Sequence, residues 1–310
     1  MTAEASSRSL LIADILDPNK HLKASKLAQL SDLGSNDLQV LKLAWTNSGA
    51  ERQQQIMSGL VHLSETDLRL NFTNIFLFCL GDPDEQIRRQ AVTGLETEED
   101  EAIITPLIKA LKEDKSASVR AAAATALNNF ALLAELGKLA DVYAAKVYST
   151  LLQVLDNHAE STEVKRQALE AIAPLSKPRV KELIENAYHS KDLKLKASAI
   201  YAMGRNCDPV WLEPLLSELR NSEPEMRYHA AAALGELGAE EAVPQLSKLT
   251  TDEDAEVQEA AIKAIGEIGG DQARQILNRL VKNQNMRIRE AATAALKELL
   301  LCENPLSQEM

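Results

Sequence analysis

A nine-residue block of fixed character returns along this chain at a nearly constant interval, and a chain built that way has few folds open to it. The block opens on a large apolar residue, continues with a basic one, and places alanine or another small residue at its fifth and eighth positions. It reads IRRQAVTGL from Ile87, VRAAAATAL from Val119, VKRQALEAI from Val164 and LKASAIYAM from Leu195. It continues as MRYHAAAAL from Met226, VQEAAIKAI from Val257 and IREAATAAL from Ile288. Successive anchors lie 32, 45, 31, 31, 31 and 31 residues apart. Two weaker copies, anchored at Leu22 and Ile56, extend the series towards the N-terminus and bring it to nine units. The first has Lys26 where alanine is expected; the second has Met57 for the basic residue and Leu60 for the small one.

Positions 1, 5, 6, 8 and 9 of the block are apolar or small, which makes one wide stripe on a helix. Three residues before the anchors stand Asn19, Asp84, Ser116, Ser161, Asp192, Asp254 and Asn285, whose side-chain oxygens suit helix N-caps; Gln53 and Glu223 are the exceptions. Gly204, Gly235, Gly238, Gly266, Gly269 and Gly270 read as positive-φ positions that stop helices. A preceding helix in each unit carries an early proline at Pro106, Pro214 and Pro244. A pair of about 31 residues cannot bury so wide a stripe alone, so units must stack and the end units must cap the stack. The expected fold is all-α, a right-handed α-solenoid of about nine antiparallel helix pairs. Residues 1–127 hold the N-terminal units, the first two degenerate, and residues 128–163 form a lengthened helical unit in the 45-residue interval. Residues 164–302 form the regular units, and residues 303–310 are expected to be a disordered tail.

Charge and composition narrow the function. The chain has 34 Lys and Arg against 46 Asp and Glu, a net charge of −12, so neither nucleic acid nor an anionic membrane is an expected partner. The longest apolar run, residues 75–80, is far short of the roughly 20 residues of a membrane span. The first residues include Glu4 and no sustained apolar stretch, so no secretory leader is expected and the expected compartment is the cytoplasm. Cys79, Cys207 and Cys302 are scattered and form no Cys-x-x-Cys, so neither a disulfide framework nor a zinc site is expected.

The blocks MRYHAAAALGELG and VQEAAIKAIGEIGG resemble HEAT repeats, and among these the short HEAT-like repeats named after the phycobilisome bilin lyases. The resemblance runs over residues 82–300 and is weak before them. It implies that the basic second position, here Arg88, Arg120, Lys165, Lys196, Arg227 and Arg289, forms a ladder with carboxylates or carbonyls of adjoining units, broken at Gln258. It implies too that positions 3, 7 and 10, the stripe left exposed by the burial pattern, line a concave surface.

Chemistry in related families is tied to residues that this chain lacks. Deoxyhypusine hydroxylases hold a di-iron centre with His-Glu dipeptides, and none of His21, His62, His158, His189 and His229 precedes Glu. HEAT-like DNA glycosylases use a basic face with aromatic residues, whereas this chain is acidic and 4% aromatic. Bilin lyase subunits have no short catalytic signature to match. Asp82-x-Asp84 and Asp252-x-Asp254 begin like calcium loops, but Ile87 and Val257 occupy the position that needs glycine. Cys207 has no histidine near it in sequence, and the acidic run at residues 96–101 reads as a solvated turn. No catalytic residue, cofactor or metal is expected.

Against a stripe of mostly small or charged residues, Tyr201 and Tyr228 are the aromatic members, and Arg89, Arg166 and Glu170 are prominent charges. Tyr and Arg are enriched at interaction hot spots, so these five are the candidate partner-binding residues. The expected function is a non-catalytic scaffold that binds a segment of a partner protein on its concave face. The alternative that the resemblance implies is a bilin-lyase-like enzyme subunit acting on a tetrapyrrole or its acceptor protein.

Overall fold

Residues at i, i+4, i+5, i+7 and i+8 share one face only at the α-helical pitch, and each clear block accordingly lies on an α-helix. The computed structural model describes residues 3–303, and among these it holds eighteen α-helices and no strand. In chain order they make nine pairs. The chain divides into two compact units, Met1–Ala171 and Ile172–Met310. The first contains α1 (Ala3–Leu16) and α2 (Ala24–Leu27), α3 (Ser35–Trp45) and α4 (Ala50–Thr66), and α5 (Thr73–Cys79) and α6 (Glu85–Gly94). It continues with α7 (Ile104–Glu113) and α8 (Ala117–Glu135), then α9 (Asp141–Asp156) and α10 (Thr162–Ile172), which ends at the boundary. The second contains α11 (Pro178–Tyr188) and α12 (Leu193–Asn206), and α13 (Leu212–Glu218) and α14 (Pro224–Leu237). It ends with α15 (Val243–Leu249) and α16 (Ala255–Ile268), then α17 (Gly270–Leu280) and α18 (Met286–Glu303). Within each unit the pairs stack as in an α-solenoid: α4 on α6 and α6 on α8 in the first, α12 on α14, α14 on α16 and α16 on α18 in the second. The interval of 45 residues contains the 19-residue α8 and the 16-residue α9. Of the expected tail, Glu303 ends α18 and residues 304–310 lie outside the described residues.

The burial phase follows the block. In the blocks anchored at Ile87, Val119, Val164, Met226 and Val257, all five stripe positions are buried. In the last block Thr293 is exposed and Leu296 half-buried, since no further described helix covers α18. Asp84, Asp192 and Asp254 cap their helices by accepting from the N–H groups two and three residues on. Ser161 and Asn285 each accept one such bond. Ser116 stands at its N-cap but shares a hydrogen bond with the Ser118 hydroxyl instead.

Three expectations need correction. The block at Leu22 does not lie on a helix: α2 is a single turn with Lys23 at its N-cap, Asn19 lies in the turn ahead of it, and a 3-10 turn follows. With Lys26 in place of alanine only Leu27 and Leu30 bury there, too little apolar surface to hold a longer helix. Gly204, Gly235 and Gly266 do not stop helices either, as Gly238 and Gly269 do with φ of 68° and 73°; Gly270, with φ of 85°, opens α17 instead. The first three lie inside α12, α14 and α16, where an added Cβ would sit 2.6 Å from Ala233 Cα, 2.9 Å from Ala264 Cα and 2.8 Å from Ala295 Cβ. Each is the point at which one second helix comes against the next. For the same reason the stripe at positions 3, 7 and 10 is not exposed throughout: Ala121, Ala173, Ala197 and the three glycines are buried.

The ladder implied by the resemblance is present at Arg88, Arg120, Lys196, Arg227 and Arg289, though among the described residues not at Lys165, and has two directions. Arg88 donates back to the carbonyl of Asp82 (2.9 Å) and forward, with both prongs of its guanidinium, to the carboxylate of Asp114 (2.7 and 2.9 Å). Arg227 does the same with the Asn221 carbonyl (2.8 Å) and Asp252 (2.9 and 2.7 Å). Arg120 bonds the Asp114 carbonyl and Glu160, and Lys196 reaches Glu218 at 2.7 Å. Arg289 donates to the Asn283 carbonyl. Gln258 keeps the backward bond, to the Asp252 carbonyl, and gives up the charge and, among the described residues, the forward bond. The forward acceptors also shape the turns, because Asp82, Asp114 and Asp252 each accept from the N–H two residues on. That accounts for the two calcium-like Asp-x-Asp sequences. Where Met57 replaces the basic residue, Trp45 Nε1 reaches Asp82 (2.8 Å) and Gln54 reaches Asp84 (2.9 Å), so the degenerate pair is tied to the third by other donors.

Burial opposes the charge of Asp114, but Arg88 and the Ser116 N–H outweigh it and hold the carboxyl below the usual range. Asp252 is held down in the same way by Arg227. Arg120 lowers Glu160. A carboxyl whose folded pKa lies below its unfolded value stabilises the fold fully above the unfolded pKa, and that stability is lost as pH falls through the folded one. Melting temperature is therefore expected to fall below about pH 4. Asp114→Asn is expected to cost on the order of 3 kcal/mol at pH 7 by leaving Arg88 buried without its carboxylate. Melts at a series of pH values should show the gap between wild type and variant narrowing with acid; parallel curves would refute the assignment. Separately, Gly204→Ala is expected to lower stability by about 1–2 kcal/mol, the overlap with Ala233 exceeding the gain in helix propensity. Gly81→Ala, with no atom closer than 3.8 Å to the added carbon, is the tolerated control. Thermal melting distinguishes them, and an unchanged Gly204→Ala midpoint would contradict the close approach.

Candidate partner-binding groove

Because glycine and alanine let α14, α16 and α18 lie close together, long side chains on their outer faces stand around small ones. The result is a groove of about 600 Å³ in the second unit. Ala260 and Ala295 are buried in its floor, and the ring of Tyr228 forms a wall. Tyr228 is 40% exposed, unusual for so large a ring, and it also borders a second hollow of about 350 Å³ with Pro224, His229 and Asp254. The His229 ring stands edge-on to it at 5.3 Å.

Charges on the rim are partly paired. Arg287 of α18 donates to Glu259 of α16 at 2.7 Å, and Lys263 lies 3.3 Å from Glu267 on its own helix. Glu267 raises the Lys263 pKa, with a smaller contribution from Glu298, so the amine stays charged. Glu256 and Glu298 are exposed on the rim, and Glu225 is exposed one turn before Tyr228. None of these three takes part in an ion pair among the described residues.

The five candidate residues fall into separate groups. Tyr228 lies in the groove, and Tyr201 is half-buried on α12 in the same unit. Arg89 is exposed on α6 in the first unit. Arg166 and Glu170 lie together on α10, where the guanidinium is 2.8 Å from Glu163 and 3.9 Å from Glu170. The Glu170 carbonyl accepts from Asn128 (3.1 Å). The structure thus brings Tyr228 together with Glu256, Arg287 and Glu298, none of them in the candidate set. Glu256, Glu259, Lys263 and Glu267 follow one helical face, so extending the 3.6-residue period beyond the nine-residue block is the signal that finds them.

Other residues that stood out in the sequence have structural roles. Cys207 ends α12 in the left-handed region (φ 52°), and its Sγ donates to the Gly204 carbonyl at 3.1 Å. Burial, aided by Glu236, pushes its thiol pKa up, the opposite of what a nucleophile needs. Phe72 and Phe76 are buried edge to face with centroids 6.3 Å apart. In the acidic run, Asp100 caps a 3-10 turn and Glu98 accepts from the Thr73 hydroxyl. Among the described residues no three His, Cys, Asp or Glu side chains are gathered as metal ligands would be, and no helix is long and apolar enough to cross a membrane.

Comparison with known proteins agrees with this geometry. A family model described as HEAT repeats matches residues 74–150 and 212–297, more than half of the chain. No curated protein sequence matches it. The complex of CpcE and CpcF of phycocyanin lyase from Nostoc sp. PCC7120 is similar with a TM-score of 0.53 at 18% identity, over 84% of this chain and 95% of that one. YibA from E. coli has a TM-score of 0.43 at 16% identity over 97% of both chains. Human deoxyhypusine hydroxylase in complex with glycerol has 0.37 at 16% identity over 96% of both. At these identities the likeness is one of fold. With the repeat period, the stacked pairs and the matched segments in agreement, the chain belongs to the HEAT-repeat family.

Proposed function

We propose that this protein is a non-catalytic binding scaffold that holds a segment of a partner protein on the outer face of its second helices. The observation that carries the reading is the groove walled by Tyr228, an exposed ring above an alanine floor in a repeat otherwise faced with small and charged side chains. A rigid aromatic with two hollows beside it offers apolar area at little cost in side-chain entropy, which is what a hot spot requires. Tyr201 in the second unit, and Arg89, Arg166 and Glu170 in the first, are further candidate positions for partner contact. Affinity capture from native lysate, comparing wild type with the Tyr201→Ala, Tyr228→Ala double variant, tests the reading. A partner held by wild type and lost by the variant is the expected outcome. Tyr228→Ala alone, which removes an exposed ring, should keep the melting temperature close to wild type and is the control for any stability lost at the half-buried Tyr201; retention of every partner by the double variant would place binding elsewhere.

A second reading, a bilin-lyase-like subunit, draws on the likeness of fold to phycocyanin lyase over 84% of the chain. It has an optical test. Purified protein mixed with a linear tetrapyrrole is expected to shift the visible band if this reading is right, and an unchanged spectrum removes it.

A further inference from the structure

The groove at Tyr228 has an apolar floor and an uneven charge balance, and together these select the chemistry of what fits it. Both cations on the rim are already engaged by carboxylates of the protein, Arg287 by Glu259 and Lys263 by Glu267. Glu225, Glu256 and Glu298 are exposed and outside any ion pair among the described residues. The field left over around the exposed ring is therefore negative. Glu225 and Glu256 occupy equivalent positions one repeat apart, on the neighbouring helices α14 and α16, with Tyr228 one turn further along α14. Neighbouring packed helices lie about 8–10 Å apart.

Resting on the scaffold reading, we propose that this groove receives an extended segment of a partner protein carrying lysine or arginine at every third residue, with small or apolar residues between. In the extended polyproline II conformation residues three apart lie on the same side of the chain, about 9 Å from one another, which matches the step from one helix to the next. The basic groups meet Glu225 and Glu256, one of them passing over the face of Tyr228, where an aromatic ring attracts a cation. The intervening small or apolar residues lie on the floor at Ala260 and Ala295. Glu298, contributed by α18, closes the far side of the groove. The occupant is selected by charge complementarity: a polyanionic or glutamate-bearing segment of the same shape is repelled by the same three carboxylates.

The test uses two fluorescein-labelled nonapeptides, KALKALKAL and its counterpart EALEALEAL, with fluorescence anisotropy at about 50 mM and about 300 mM salt. Wild type is expected to bind the lysine peptide and not the glutamate one, with affinity falling at the higher salt. Tyr228→Ala is expected to weaken binding roughly tenfold. Glu225→Gln with Glu256→Gln is expected to weaken it by a similar factor and to flatten the salt dependence. Glu99→Gln with Glu213→Gln removes the same charge from exposed sites elsewhere and is expected to leave binding unchanged; melting curves establish that all variants fold. The inference is overturned if wild type fails to bind the lysine peptide, if it binds both peptides equally, or if the groove variants and the distant control behave alike. The lysate experiment separates the two readings. A partner lost by the tyrosine double variant but kept by Glu225→Gln, Glu256→Gln leaves the scaffold standing and refutes the basic segment.

Discussion

Everything in this molecule depends on how closely one second helix can lie against the next. Three times in the second unit, glycine at the tenth position of a block faces the eighth-position alanine of the following one: Gly204 on Ala233, Gly235 on Ala264 and Gly266 on Ala295. Glycine meets alanine directly there, with the Glu267 carboxylate also against Gly235, and the stripe positions around these contacts are buried by neighbours on both sides. The positions beside these contacts are filled mostly by alanine, valine, leucine and isoleucine, with Met203 and Met226 among them. In the first unit a glycine serves another purpose: Gly94, at the eighth position of its block, makes room for the ring of Phe76 on α5, the other helix of its own pair.

The basic ladder stands outside this core and does a different task. Arg88, Arg120 and Arg227 each bond the carbonyl of the turn behind and the carboxylate of the turn ahead, so a single side chain fixes both the angle within a pair and the step to the next pair. The carboxylate that receives it also holds its own turn through an N–H two residues on. Turn geometry and stacking are thus set by the same atoms, and a repeat can lose its arginine only if other donors find the turn. The degenerate second pair illustrates this, with Trp45 and Gln54 reaching the carboxylates that an arginine of that pair would have approached.

Much of the fold was legible because the repeat period and the burial phase are written in the sequence seven times over. The caps at Asp84, Asp192 and Asp254 were legible for the same reason, an acceptor at fixed distance before an apolar anchor. Gly204, Gly235 and Gly266 were misread because a glycine late in a helical pattern signals a stop and a close approach equally well; only the position of the next helix decides. The shortness of α2 was not legible from Lys26 alone, since long basic side chains are tolerated on helices that bury enough on their other faces. Tyr228 was legible as an exposed aromatic, whereas Glu256, Arg287 and Glu298 were not, because they join it only when three helices are brought side by side.

One joint of the ladder differs from the rest. At Gln258, where Arg227 stands one repeat earlier, the residue is neutral, and its counterpart to Asp252 in the next turn is the neutral Asn283. The last pair, α17 and α18, is therefore held to α16 by packing and by the exposed Arg287–Glu259 ion pair on the groove rim, without a buried clasp of the ladder kind, and it has no described helix beyond it. In a stack whose stability is a sum over neighbouring interfaces, such an end pair frays first, and its amides exchange with solvent before those of α14. Since α18 supplies one side of the groove, whatever occupies that groove also holds the fraying end shut, so occupancy and the integrity of the C-terminal pair are thermodynamically one event.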